Sequence, residues 1–269
     1  MCYNNFMEFN TDFNIGIIFN AIVSAIVAAV AIALIVFLYR RLRGLNEKMR
    51  VYSLFWFFTA VAWVFISVKY FMIGFGYSGN RIHYADLTLQ TAIFLSGLPL
   101  MYYTGLKFFS SQRLARILGV ATIMPISVSI WLITKPGGLV LRDLTFFSAK
   151  SFLNRGSLTI FNVTVGIIIV ILLYDSALRF YRWRINRDQN TLIESFYSLA
   201  IIVYLILGSI EQSGLINNWT VIVFRIMYAA SFLSVYLLVT QHEQINEKYL
   251  FEEKEIFFDE KKSLLDQHT

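Results

Sequence analysis

The sequence predicts an all-α integral membrane protein of seven transmembrane helices, with its N-terminus outside and its C-terminus in the cytoplasm. Three observations carry that expectation. Hydrophobic residues make up 57% and charged residues 15% of the 269, with a mean hydropathy of +0.61, whereas a soluble domain is about half apolar and about one quarter charged. Seven apolar runs, at about 14–38, 51–75, 84–107, 117–134, 156–178, 192–212 and 219–240, approach the roughly 20 residues that span a bilayer core at about 1.5 Å each. Finally, Lys and Arg crowd alternate loops, which sets orientation by the positive-inside rule.

The first run has no basic segment before it, only Glu8 and Asp12, and its apolar core is too long for a signal peptide, so it reads as a span. The loop after it holds Arg40, Arg41, Arg43, Lys48 and Arg50; the loop after the third run holds Lys107, Arg113 and Arg116. After the fifth come Arg179, Arg182, Arg184 and Arg187. The alternate loops are poorer in cations for their length, and an odd number of spans puts the two termini on opposite sides, in agreement. Pro99 in the third run and Pro125 in the fourth are expected kink sites. Lys135-Pro136-Gly137-Gly138 reads as a turn. Residues 139–155 (LVLRDLTFFSAKSFLNR) mix polar and apolar types and read as a structured outer loop or hairpin, with an interfacial or re-entrant piece as the alternative. Residues 1–240 thus form one transmembrane domain, and 241–269 a charged, net acidic tail. There Ile245, Tyr249, Ile256 and Leu264 fall near helical spacing, either as a solvated helix continuing the last span or as a signalling connector.

Several function classes drop out. One cysteine, Cys2, gives no disulfide framework within the chain, and His83, His242 and His268 make no metal-ligand spacing. No metal site and no nucleophile–base constellation is evident, so an enzyme is not expected. The net charge of +6 reflects topology-setting loops and does not imply nucleic-acid binding. The spans show no inverted repeat of the transporter kind.

Chemistry is most to be sought in charges at membrane depth, which are costly unless paired. Lys69 near the end of the second run and Arg225 near the start of the seventh lie roughly 10 Å below the outer boundary. Asp86 opens the third run and Glu211 closes the sixth on the same side. Two arrangements reduce the desolvation cost: mutual pairing inside the bundle, or Lys69 and Arg225 snorkelling outward while the carboxylates sit among headgroups. Tyr84, Tyr197, Tyr204 and Tyr228 are candidates to line an interior pocket, a role that competes with ordinary packing. At the other side, Asp175 and Glu194 read as interfacial partners of the arginine-rich segment.

The stretch His83-Tyr84-Ala85-Asp86-Leu87, followed by Thr91, resembles the arginine-tyrosine-alanine-aspartate-tryptophan stretch of microbial (type 1) rhodopsins, whose aspartate is the Schiff-base counterion. Gly74 with Gly76-Tyr77 is similar to that family's second-helix exit, and Tyr197, Tyr204 and Gly208-Ser209 to its sixth helix. The resemblance spans most of 14–240 and implies a rhodopsin-like bundle. The chain departs from the family where photochemistry resides. No amine stands at Ala229 to Phe232, where the retinal lysine belongs, and Arg225 lies near the level of the seventh-helix aspartate. His83, Leu87 and Ile201 replace the family's arginine, tryptophan and proline, Pro99 lies about two turns beyond the family's third-helix proline position at Ala92, and Gly97 falls near the pumps' proton-donor position.

The resemblance therefore implies no covalent retinal and no resident cofactor, while leaving room for a lipophilic ligand, retinal included, held without a covalent bond. The expected function is a non-pumping sensory or interaction module in the cell membrane, with 241–269 as the output to a cytoplasmic partner and self-association as a further form of contact. Two alternatives stay open: an ion channel or transporter using Lys69, Asp86 and Arg225, and the membrane half of a kinase-like sensor unrelated to rhodopsins. The nearly wholly apolar cytoplasmic halves of spans one, two and seven count against a pore.

Overall fold

The computed structural model describes residues 14–41, 47–77, 80–109, 111–216 and 218–241. These form helices α1 (Ile15–Arg41), α2 (Glu47–Gly74), α3 (Asn80–Phe108), α4 (Gln112–Ala121) and α5 (Ile123–Thr134), strands β1 (Leu139–Leu144) and β2 (Ala149–Leu153), and helices α6 (Arg155–Asn186), α7 (Gln189–Gln212) and α8 (Thr220–Gln241). Six helical segments among the described residues are long and apolar enough to cross a membrane, with α4 and α5 counted together as one span of 23 residues. The chain is thus a multi-pass membrane protein in contact with lipid. α3 has 29 residues, but Asp86, Gln90 and Thr91 make it less apolar, and it is not among the six.

The polarity of the bundle suits lipid rather than water. Large apolar side chains such as Ile26, Met124, Val170 and Ile226 are exposed on the outside, while Asn20, Lys69, Asp86, Gln90, Asp175 and Arg225 are buried. Buried polar groups facing one another beneath an apolar surface are what a membrane helix bundle requires.

Neighbouring helices follow chain order: α1 packs on α2, α2 on α3, α3 on α4, α5 and α6, and α6 on α7. α8 closes against α2, α7 and α1, with the Tyr228 ring 4.8 Å from Trp63 and 5.2 Å from Tyr204, and Tyr236 4.6 Å from Phe37. The hairpin β1–β2 lies at the end where α1 starts; Gln241 ends α8 at the opposite, tail end.

Local chemistry explains the boundaries. Pro125 lacks the N–H that would reach Ala121, and the helix is interrupted at Thr122, whose hydroxyl donates to the Leu118 carbonyl at 2.8 Å. α3, by contrast, continues through Pro99. After α5 the Gly138 N–H donates to Lys135 O at 2.8 Å across Pro136 and Gly137, and Gly137 has a φ of 75°; Pro followed by a left-handed Gly is the pattern of a type II turn. Asn154 caps α6 by accepting from Ser157 N at 2.7 Å.

The helices run further than the apolar runs, so cations expected in loops lie within them: Arg40 and Arg41 in α1, Lys48 and Arg50 in α2, Lys107 in α3, Arg113 and Arg116 in α4. Arg179, Arg182 and Arg184 belong to α6 and not to a loop, because no Gly or Pro interrupts 167–186 and arginine is a good helix former. The turn itself is Arg187–Asp188, with Arg187 left-handed at φ 56°. Asp188 then caps α7, accepting from Asn190 N at 3.0 Å, Thr191 N at 3.2 Å and the Thr191 hydroxyl at 2.6 Å. Thr191's hydroxyl above all, helped by the two backbone N–H groups and opposed by burial, holds the Asp188 carboxyl below its usual range. The tail expected to continue the last helix, 242–269, lies outside the described residues.

Candidate functional site: a charged cavity beneath the hairpin

Lys69 sits in the last turns of α2 and Asp86 in the second turn of α3, so the short connection between these helices sets the two side by side. Lys69 Nζ donates to Asp86 Oδ1 at 2.9 Å and to Ser151 Oγ at 2.6 Å. Both charged side chains are 5% exposed. The hairpin therefore supplies one of the ammonium group's partners.

Arg225 lies one turn and a half into α8 and is 1% exposed. Its Nη1 is 2.7 Å from Glu211 Oε1 on α7, while Tyr228, three residues on, donates its hydroxyl to Glu211 Oε2 at 3.0 Å. The guanidinium also stands 4.9 Å from the Trp63 ring centre and 5.8 Å from that of Tyr70. Those rings are seven residues apart on α2 and share one face, so they form a cation–π wall. The contact with Glu211 is an ion pair out of line with the N–H directions: Nε and Nη1 have no hydrogen-bond partner among the described residues.

Between these two pairs lies a cavity of about 150 Å³. Its charged wall carries Lys69, Lys150, Glu211 and Arg225, joined by Gln90 and Gln212. Its wall from α3, α5 and α6 is mainly apolar, with Phe94, Ile126 and Phe161, but also carries Ser96, Ser129 and Thr164, the Ser129 hydroxyl having no hydrogen-bond partner among the described residues. The hairpin covers the mouth. Asn20 of α1 donates to Phe147 O at 2.6 Å, and Gly16 gives the turn room, since a Cβ there would stand 2.2 Å from Phe146 O.

Below the cavity the bundle is filled by rings. Tyr52 packs against Trp56, Tyr103 and Tyr197 at 5.9, 5.3 and 5.3 Å, and Trp56 against Phe232 at 5.2 Å. All five are at most 1% exposed. At the tail end a second charge cluster ties three helices together. Lys107 of α3 lies 3.3 Å from Glu194 and 3.8 Å from Asp175. Arg179 binds Asp175 at 2.9 Å and also pairs with Glu194, and Ser198 donates to Asp175 at 3.1 Å.

Of the residues singled out in the sequence, Lys69, Glu211, Arg225, Tyr204 and Tyr228 line the cavity, and Asp86 stands behind Lys69. Both cations are paired inside the bundle. Arg225's carboxylate is Glu211, however, and Lys69's is Asp86, so the two cations do not share Asp86. Two tyrosines require correction. Tyr84 is 63% exposed: two residues from Asp86 on a helix is about 200° of rotation, which points it outward. Tyr197 is buried in the aromatic floor and is not part of the cavity wall. The sequence reading missed Lys150, Ser151, Trp63, Tyr70, Gln90 and Lys107. Gln90 was within reach, four residues after Asp86 and on its face; the hairpin residues carried no signal that they fold inward.

No family model matches the chain, and neither a curated protein nor a solved structure matches it.

Proposed function

We propose that this chain is a seven-helix membrane sensor, with its N-terminus outside and the tail after Gln241 as the cytoplasmic output. α3 would be the seventh span, packed between α2 and the α4–α6 layer, its polar residues tolerated because they face the bundle. The observation that carries the reading is the cavity itself: charged at the hairpin end, lined there by β2 residues Ala149, Lys150, Ser151 and Phe152, and lying above the packed rings of Tyr52, Trp56, Tyr103, Tyr197 and Phe232. A covered chamber above packed rings supports binding over conduction.

The architecture is rhodopsin-like in this proposal, without the family's chromophore linkage. Phe232, in the stretch where the retinal lysine belongs, is fully buried against Trp56 and Tyr204, and no amine on α8 enters the cavity. A channel or transporter is the second reading, favoured by the Lys69, Arg225 and Glu211 layer. Ion flux into proteoliposomes separates the two. The sensor reading expects background flux for the wild type and for Arg225→Gln; flux that the substitution abolishes would establish the pore.

A further inference from the structure

We propose that the cavity beneath the hairpin is a binding site for a small amphipathic monocarboxylate, its carboxylate on Arg225 and its apolar body against Phe94, Ile126 and Phe161. This rests on the sensor reading only for what binding would do.

Four observations support the assignment. The first is the make-up of the wall: among the described residues Lys69, Lys150, Arg225 and Glu211 line the cavity, and Arg225 is the cation left to meet a ligand, because the other two have partners of their own. Lys69 is already engaged by Asp86 and Ser151, and Lys150 stands opposite Asp143 in the hairpin register. The second is Arg225 itself, 1% exposed, with Nε and Nη1 lacking hydrogen-bond partners. Buried donors left unmade are costly, and a guanidinium offers a planar pair of donors that a carboxylate matches. Glu211 does not remove the need, since its second oxygen is held by Tyr228.

The third is Arg225's fixed position, between the rings of Trp63 and Tyr70 and the Glu211 carboxylate. A ligand meets a donor already oriented, which lowers the ordering cost of binding. The fourth is size and polarity. The cavity is about 150 Å³, and an apolar protein cavity of about that volume accepts benzene. The charged groups lie at one end and the mainly apolar wall of Phe94, Ile126 and Phe161 lies away from them, so a phenyl ring or a short alkyl chain bearing one carboxylate fits.

The test uses the full chain in nanodiscs and three probes of one shape: benzoate, benzyl alcohol and benzylammonium. Binding is read by quenching of tryptophan fluorescence, Trp63 being in the wall, and by the shift in melting temperature. Benzoate should saturate and stabilise, and benzyl alcohol should bind about tenfold or more weakly, as expected for losing hydrogen bonds to a charged group. Arg225→Lys should weaken benzoate and leave benzyl alcohol unchanged. If the arginine variants fail to fold, Gly208→Leu fills the cavity while leaving every charge in place, since a Cβ there meets only the Tyr228 hydroxyl at 3.9 Å; it should abolish benzoate binding. Equal binding of acid and alcohol, preference for the cation, no saturable benzoate binding, or benzoate binding untouched by Gly208→Leu would each overturn the assignment. None of those outcomes bears on whether cavity and tail communicate, which has its own measurement.

Discussion

Lys69 Nζ lies 2.9 Å from Asp86 Oδ1 across the α2–α3 contact, with both side chains 5% exposed. Removing one member of such a buried pair strands the other and typically costs about 3–5 kcal/mol, against under about 1 kcal/mol for an exposed pair. Asp86→Asn and Lys69→Gln should each fall in the first range, and the double variant should recover part of the loss. The check is a double-mutant cycle by melting in detergent, run beside Asp86→Asn with Arg225→Gln. Coupling should be large in the first cycle and small in the second, because Arg225's partner is Glu211.

The hairpin is held to α1 by one hydrogen bond and by close packing, with the Phe19 ring 6.3 Å from Phe147. Asn20→Ala removes the 2.6 Å bond to Phe147 O and should cost about 1 kcal/mol. Gly16→Val should cost more, because even a Cβ would overlap Phe146 O. Limited proteolysis between Leu144 and Ala149 should speed up in both variants; unchanged cleavage would mean the hairpin is not held by α1.

Asp188 predicts a specific acid response. Its carboxyl is held below the usual aspartate value of about 3.9 in the folded chain. The unfolded chain therefore takes up the proton first, and Asp188's contribution is full above that value and lost as pH falls through the folded one. Asp188→Ala should cost about 1 kcal/mol at neutral pH, a typical cap loss. The gap between wild type and Asp188→Ala should narrow near pH 3 if the cap acts through its charge; an equal gap at both pH values would contradict it.

Sidedness is tested by cysteine labelling in intact cells. Cysteines at Gly137 and at Arg187 sit in turns at opposite ends of the bundle, one before β1 and one after α6. The first should label from outside and the second only after permeabilisation. Labelling of both from one side would end the proposed topology.

Six apolar helices were legible because apolar run length is a local property, whereas their ends were not, since α6 carries its arginines on to Asn186. Lys69, Asp86, Glu211 and Arg225 were legible too, since a charge inside an apolar run is costly wherever the helix points. Their pairing was not. Asp86 is within sequence reach of either cation, and only the rotation of α2, α3 and α8 about their axes assigns it to Lys69. Tyr84 shows the same limit from the other side, because a two-residue offset from Asp86 already places it outward. Lys150 and Ser151 were out of reach: LVLRDLTFFSAKSFLNR reads as a hairpin, but which of its side chains turn towards the bundle is set by tertiary contacts.

The central claim is that the cavity and the tail end of α8 report on each other. Hydrogen exchange of α8 in nanodiscs, for the wild type and for Gly208→Leu, measures it directly. The account predicts that filling the cavity changes amide protection at both ends of α8, including Val235–Gln241, beyond the aromatic floor. A change confined to residues around Arg225, with the tail end unaltered, would contradict it.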